Sequence, residues 1–95
     1  MLGNIIDKQI IGYTYLKYME EDNKKGYLID GLYVEKNYRR NGYAKELLKY
    51  ALKLLKKETT NFIDINVLYT NEIAKKLYKS LGFQEFIITM RKNND

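Results

Sequence analysis

Residues 27–55, YLIDGLYVEKNYRRNGYAKELLKYALKLL, change hydrophobic period part-way along. The first eight, YLIDGLYV, are rich in β-branched and aromatic side chains and read as a strand ending at Val34. Gly31 inside that run predicts a bulge or a close backbone approach, since a strand interior gains nothing from a residue without a side chain. From Gly42 onward, Ala44, Leu47, Leu48, Ala51, Leu52 and Leu55 recur at spacings of three and four. Lys45, Lys49, Lys53, Lys56 and Lys57 fall mostly on the other side, so the spacing predicts an amphipathic helix of about four turns. Between strand and helix lies Arg39-Arg40-Asn41-Gly42-Tyr43-Ala44, two cations and a glycine where a helix begins.

Phe62 to Leu68, FIDINVL, reads as the next strand. Strand, helix and strand then form a βαβ unit whose two strands are expected to be parallel neighbours. Upstream, Ile5-Ile6 and Gln9-Ile10-Ile11 flank Asp7-Lys8 as a short hairpin, and Gly12 to Met19 continues its second strand. The charged residues Glu20 to Gly26 read as the following turn. Downstream, Asn71 is placed to cap a second helix carrying Ile73, Ala74, Leu77, Tyr78 and Leu81 on one face, and Gly82 to stop it. Phe83 to Arg91 closes the chain as a last extended segment. The expected order is β-β-β-α-β-α-β: an α/β chain of the α+β kind, a mixed sheet with antiparallel N-terminal strands and helices packed over it.

Ninety-five residues, 45% hydrophobic and 31% charged, suit one soluble domain, with the polar end Lys92-Asn93-Asn94-Asp95 expected to be disordered. No apolar run reaches the ~18–20 residues that span a bilayer, so the default expectation is a cytoplasmic protein without membrane contact. The absence of cysteine excludes disulfides, thiolate metal sites and cysteine nucleophiles. The absence of histidine removes the commonest general base and metal ligand, so no metal is expected. Proton transfer near neutral pH is left to a shifted carboxylate, a lysine, a tyrosine or water. A formal charge of +5 favours anionic partners without choosing among nucleotide, nucleic acid and acidic protein.

The turn at residues 39–44 narrows that choice. At a helix N-terminus the first amides lack intrahelical partners and the peptide dipoles add positive charge, which suits an anion. Arg39 and Arg40 add charged donors, and Gly42 and Ala44 keep the backbone approachable. Neither the three-glycine dinucleotide fingerprint nor the P-loop pattern is present. Arg39-x-x-Gly42-x-Ala44 does resemble the R/Q-x-x-G-x-G/A signature of the GNAT N-acetyltransferase superfamily. Asn71, Ala74, Tyr78, Gly82 and Phe83 are similar, in the same register, to that family's later Asn-x-x-Ala-x-x-x-Tyr-x-x-x-Gly-Phe pattern. The resemblance spans about residues 5 to 92.

It implies acetyl-coenzyme A as co-substrate and a small-molecule or protein amine as acceptor. Leu32, Tyr33 and Val34 would offer backbone groups to the pantetheine arm. The amides of Arg40, Asn41, Gly42, Tyr43, Ala44 and Lys45, with Arg39 beside them, would hold the pyrophosphate. Asn71 would meet the cofactor, and Tyr78 would act as general acid to the departing thiolate. Read as residues alone, Tyr78 is a core aromatic, Asn71 a helix cap and the lysine run a solvated face. Many relatives carry a glutamate where this chain has Asn66, which leaves Asp30 as the best carboxylate for a base, with Asp64 and Glu35 as lesser choices. Lys36 replaces a common proline. The usual N-terminal strand and two helices are missing, so either a second subunit, in a homodimer, is expected to supply that wall, or the acceptor is large and needs no deep pocket. Rival readings are a non-catalytic acyl-coenzyme A binding module and a basic nucleic-acid-binding domain, the latter resting only on charge and tyrosine content.

Overall fold

The structure, a computed structural model, describes residues 2–6 and 9–94. Four strands, β1 (Leu2–Ile6), β2 (Gln9–Glu21), β3 (Lys24–Val34) and β4 (Phe62–Ile65), form one sheet in the order β1-β2-β3-β4. A single 3₁₀ turn (Lys36–Tyr38) precedes helix α1 (Tyr43–Leu55), and α2 (Glu72–Ser80) follows β4. Strands β1 and β2 pair antiparallel down to Ile6 opposite Gln9, as the hairpin reading requires; the expected turn Asp7-Lys8 lies outside the described residues. The next hairpin is tighter than the charge pattern suggests. Glu21 pairs with Lys24, so the turn is Asp22-Asn23 and not Glu20 to Gly26. Both residues hold positive φ (47° and 65°), the geometry that matches strand twist and that Asp and Asn tolerate best.

The parallel pairing of β3 with β4 runs from Gly26 opposite Phe62 to Ile29 opposite Ile65, with α1 as the crossover. Helix α1 packs on β1, β2 and β3. Its buried Leu47, Leu48, Ala51 and Leu55 meet a sheet face that contributes Ile11, Ile29 and Val34, and this is the core. Among the described residues one buried polar side chain sits in it: the Thr14 hydroxyl donates to the Gly31 carbonyl at 2.5 Å. Gly31 is the bulge expected of it. Thr14 faces Leu32 and Tyr15 faces Asp30, so Gly31 is the extra residue on β3, with φ of +73°.

Three expectations need correction. Strand β4 ends at Ile65 rather than Leu68, because its partner β3 leaves the ladder beyond Ile29 and an unpaired backbone is not held as a strand. Phe83 to Arg91 forms no strand: among the described residues no neighbour supplies a ladder for it, whatever its β-propensity. Helix α2 buries no residue completely; Ala74, Leu77, Tyr78 and Leu81 are half-buried and Ile73 is exposed, and beyond the helix Phe83 is half-buried.

The core is concentrated on a few α1 side chains. Leu48 is 0% exposed. Leu48→Ala is expected to cost about 2–5 kcal/mol, a large part of the ~5–15 kcal/mol available to a domain, read as a lowered midpoint in urea denaturation followed by circular dichroism.

Candidate functional site

Beyond Ile29, β3 continues alone on its β4 side. Asp30 and Leu32 to Val34 remain paired with β2, yet among the described residues no strand lies along their other edge. The sheet therefore opens into a slot between β3 and the segment after β4, and the backbone of Leu32, Tyr33 and Val34 borders it. The physical cause is the Gly31 bulge, which shifts register and increases local twist.

The slot leads to the start of α1. Gly42 is the N-cap, with φ of +80°, and no side chain caps the helix. The first intrahelical bond runs from the Glu46 N–H to the Gly42 carbonyl at 2.9 Å, so the amides of Tyr43, Ala44 and Lys45 have no partner within the helix. A Cβ on Gly42 would meet nothing within 4 Å; conformation, not crowding, is what demands glycine there. Arg40 also holds positive φ (65°). The two arginines divide their work. Arg39 Nε donates to the Val34 carbonyl at 2.9 Å and its guanidinium lies 5.6 Å from the Tyr33 ring centroid, which ties the loop to the end of β3. Arg40 is exposed and makes no side-chain hydrogen bond among the described residues. Asn41 Nδ2 lies 3.4 Å from both the Tyr38 and Arg39 carbonyls, and the Tyr38 and Tyr43 rings meet edge-on at 6.3 Å.

Helix α2 starts on Asn71, whose Oδ1 accepts from the Ala74 N–H at 3.1 Å. The bland alternative for Asn71 is thus realised; a second contact through its amide nitrogen stays open. At the other end the Gly82 N–H donates to the Lys79 carbonyl and the Phe83 N–H to the Tyr78 carbonyl, at 3.1 and 3.0 Å. With Gly82 at φ +99° this is a Schellman motif, and its usual apolar contact is the Tyr78–Phe83 ring pair at 6.1 Å. The Tyr-x-x-x-Gly-Phe spacing has that geometric origin. Burial raises the Tyr78 phenol above the ordinary tyrosine value.

The carboxylates are less gathered. Asp30 is exposed beside the bulge, opposite Tyr15; Glu35 is exposed, Asp64 half-buried on β4, and Asn66 exposed beyond its end. No side-chain hydrogen bond among the described residues joins Asp30, Asp64 or Asn66 to Tyr78. A feature absent from the sequence reading is an aromatic cluster on the sheet: Tyr13 lies 5.8 Å from Tyr15 and 5.4 Å from Tyr33. The Tyr-x-Tyr alternation signalled two rings on one face of β2, but only strand register brings Tyr33 opposite Tyr13.

The model of the acetyltransferase (GNAT) family matches residues 2–83. The [ribosomal protein bS18]-alanine N-acetyltransferase of Haemophilus ducreyi is 35% identical over 101 residues, covering 96% of this chain and 68% of that protein. Among solved structures, a ribosomal-protein-alanine N-acetyltransferase from Brucella melitensis superposes with a TM-score of 0.75 at 18% identity, covering 97% of this chain and 67% of that one. An aminoglycoside acetyltransferase from an uncultured soil metagenomic sample, solved with sisomicin, gives 0.76 at 16%, covering 96% and 62%. These structures share the fold, and the chain spans roughly two thirds of each relative.

Because burial raises the Tyr78 pKa in the folded chain, its neutral phenol contributes stability that is present below pH ~10 and lost as pH rises through the folded value. Denaturation from pH 8 to 11 is expected to show stability falling at the alkaline end, less steeply in Tyr78→Phe. Identical slopes in the two proteins would mean the phenol titrates as in the unfolded chain.

Proposed function

We propose that this chain, which belongs to the acetyltransferase (GNAT) family, moves an acetyl group directly from acetyl-coenzyme A to a primary amine. One observation carries the proposal: the free edge of β3 opens onto an uncapped helix N-terminus flanked by an unpaired arginine. An amide-bearing arm can lie along Leu32, Tyr33 and Val34 as an added strand would. Its phosphates then meet the amides of Tyr43, Ala44 and Lys45, with Arg40 as a charged donor and Asn71 as a further contact.

Acetyl-coenzyme A supplies the activated acetyl group. The chain, having no cysteine, offers no thiol to carry that group, so amine and thioester react in one ternary complex. The amine nitrogen bonds to the thioester carbonyl carbon, the carbon–sulfur bond breaks, and the thiolate leaves. Tyr78, whose phenol is protonated at neutral pH, donates its proton to that thiolate. Asp30, directly or through water, takes the proton the amine loses. Backbone donors on β3 stabilise charge on the carbonyl oxygen.

The 35% identical relative named for the alanine of ribosomal protein bS18 supports a protein α-amine as acceptor, and with it a cytoplasmic reaction. The exposed ring of Tyr15 beside Tyr13 and Tyr33 supports a homodimer that covers that face. A second reading, an acyl-coenzyme A binding module without turnover, is favoured by Asn66 and by the structural use of Tyr78 in the Schellman motif.

Two measurements separate these readings. Gly42→Val places a β-branched residue at φ +80°, which is expected to cost about 1–2 kcal/mol of stability and to weaken acetyl-coenzyme A binding at least tenfold by calorimetry. Unchanged affinity in the folded variant removes the helix N-terminus from the site. Tyr78→Phe is expected to leave cofactor affinity near wild type and to lower acetylation of an alanine-initiated peptide by about 10²-fold. Cofactor binding without turnover in the wild-type chain would favour the binding module.

A further inference from the structure

The charge on α1 is not spread evenly around it. Lys45, Lys49, Lys53 and Lys56 follow one another at three- and four-residue spacing, and all four are exposed. Helical geometry puts them within about 80° of arc and strings them over ~16 Å of axis. The opposite arc carries Leu47, Leu48, Ala51 and Leu55, buried against the sheet, so the lysines face away from the body. Glu46 is the only carboxylate between residues 43 and 57. Among the described residues none of the four lysines has a carboxylate within salt-bridge distance, whereas on α2 Lys75 pairs with Glu72 and Lys79 with Glu85, both at 3.2 Å. Like charges three or four positions apart repel one another and weaken a helix. Lys45, in the first turn, also opposes the helix dipole. A helix face needs mixed charge for solubility, not a row of one sign. The row therefore costs the fold stability and gives it nothing in return.

We propose that this stripe binds a single strand of RNA along its phosphate backbone. The lysines stand ~6 Å apart along the axis in one row, which fits one row of phosphates, whereas a duplex groove is flanked by two. Tyr50, 52% exposed, lies on the flank of the stripe three residues before Lys53. Its ring is placed to stack an unpaired base, the second element of single-strand recognition beside a cationic track. Glu46 shares that flank one turn earlier and bounds the track. A lipid surface is a poor match, because an interfacial helix must offer its apolar face to the acyl chains and that of α1 is spent on the sheet. RNA is the nucleic acid that is ordinarily unpaired, and it is the occupant assigned.

The inference is independent of acetyl transfer. Its test contains no acetyl-coenzyme A, so its failure leaves the transferase reading untouched. Fluorescence anisotropy of a labelled oligouridine with the full chain is expected to show binding at about 50 mM salt. Log affinity should fall against log salt with a slope of about −3, at ~0.7 per phosphate neutralised. Replacing three lysines together (Lys49→Gln, Lys53→Gln, Lys56→Gln) is expected to weaken binding at least tenfold and to bring the slope to about −1. The same variant should keep its affinity for acetyl-coenzyme A and a thermal midpoint equal to or above wild type, since repulsion has been removed. Lys45 is left in place because its amide belongs to the proposed pyrophosphate site. Tyr50→Ala is expected to lower affinity about fivefold or more with the slope unchanged. Unchanged affinity in the triple variant, or a slope near zero in wild type, overturns the stripe as a binding surface. Tighter binding of a DNA duplex of equal length overturns the single-strand assignment. Displacement of the RNA by polyglutamate at equal charge overturns RNA in favour of an acidic protein.

Discussion

The buried hydroxyl of Thr14 donates to the carbonyl of Gly31, the one residue that β3 carries in excess of β2. That bond satisfies a carbonyl which the bulge would otherwise leave without a ladder partner inside the protein. Once β3 is bent at this point, it can keep β2 as a neighbour but not β4. Parallel pairing stops at Ile29, and the free edge from Leu32 to Val34 is the consequence. Thr14 itself points into the core under α1, so the same side chain couples the packed face to the open slot. The helix that covers Thr14 begins where the slot ends, which places unpaired amides at one end of an unpaired edge.

Several residues proposed for the site also serve the fold. Arg39 spends its Nε on Val34 and its guanidinium face on Tyr33, fixing the loop that presents the α1 N-terminus. Asn71 closes the first turn of α2 with its side-chain oxygen. Tyr78 supplies both the ring and the carbonyl of the Schellman motif, while its hydroxyl remains available. Half-burial by helix-end packing raises the phenol above the ordinary tyrosine value.

The architecture is also lopsided. Helix α1 seals one face of the sheet with a small, dense core, whereas α2 buries no side chain fully and the chain beyond it meets no ladder. Among the described residues, exposed large apolar side chains include Val67 and Leu68 after β4 and Phe86, Ile87, Ile88 and Met90 in the final run.

By itself the sequence determined the element types of the body, because period is a local property. Three- and four-residue recurrence after Gly42, the Asn71 cap and the Gly82 stop specify both helices from neighbouring residues alone. The two family patterns fall on the helix boundaries for the same reason: they encode caps and turns. Pairing and its limits were decided by tertiary structure. Whether Asn66 to Leu68 continue β4, whether Phe83 to Arg91 become a strand, and where the Asp22-Asn23 turn closes all depend on which backbone lies alongside. The Tyr13–Tyr33 contact and the Arg39 tether likewise need register and loop path, which no single stretch contains. Propensity proposes an extended segment, but a strand exists only where a partner's N–H and C=O groups stand opposite its own.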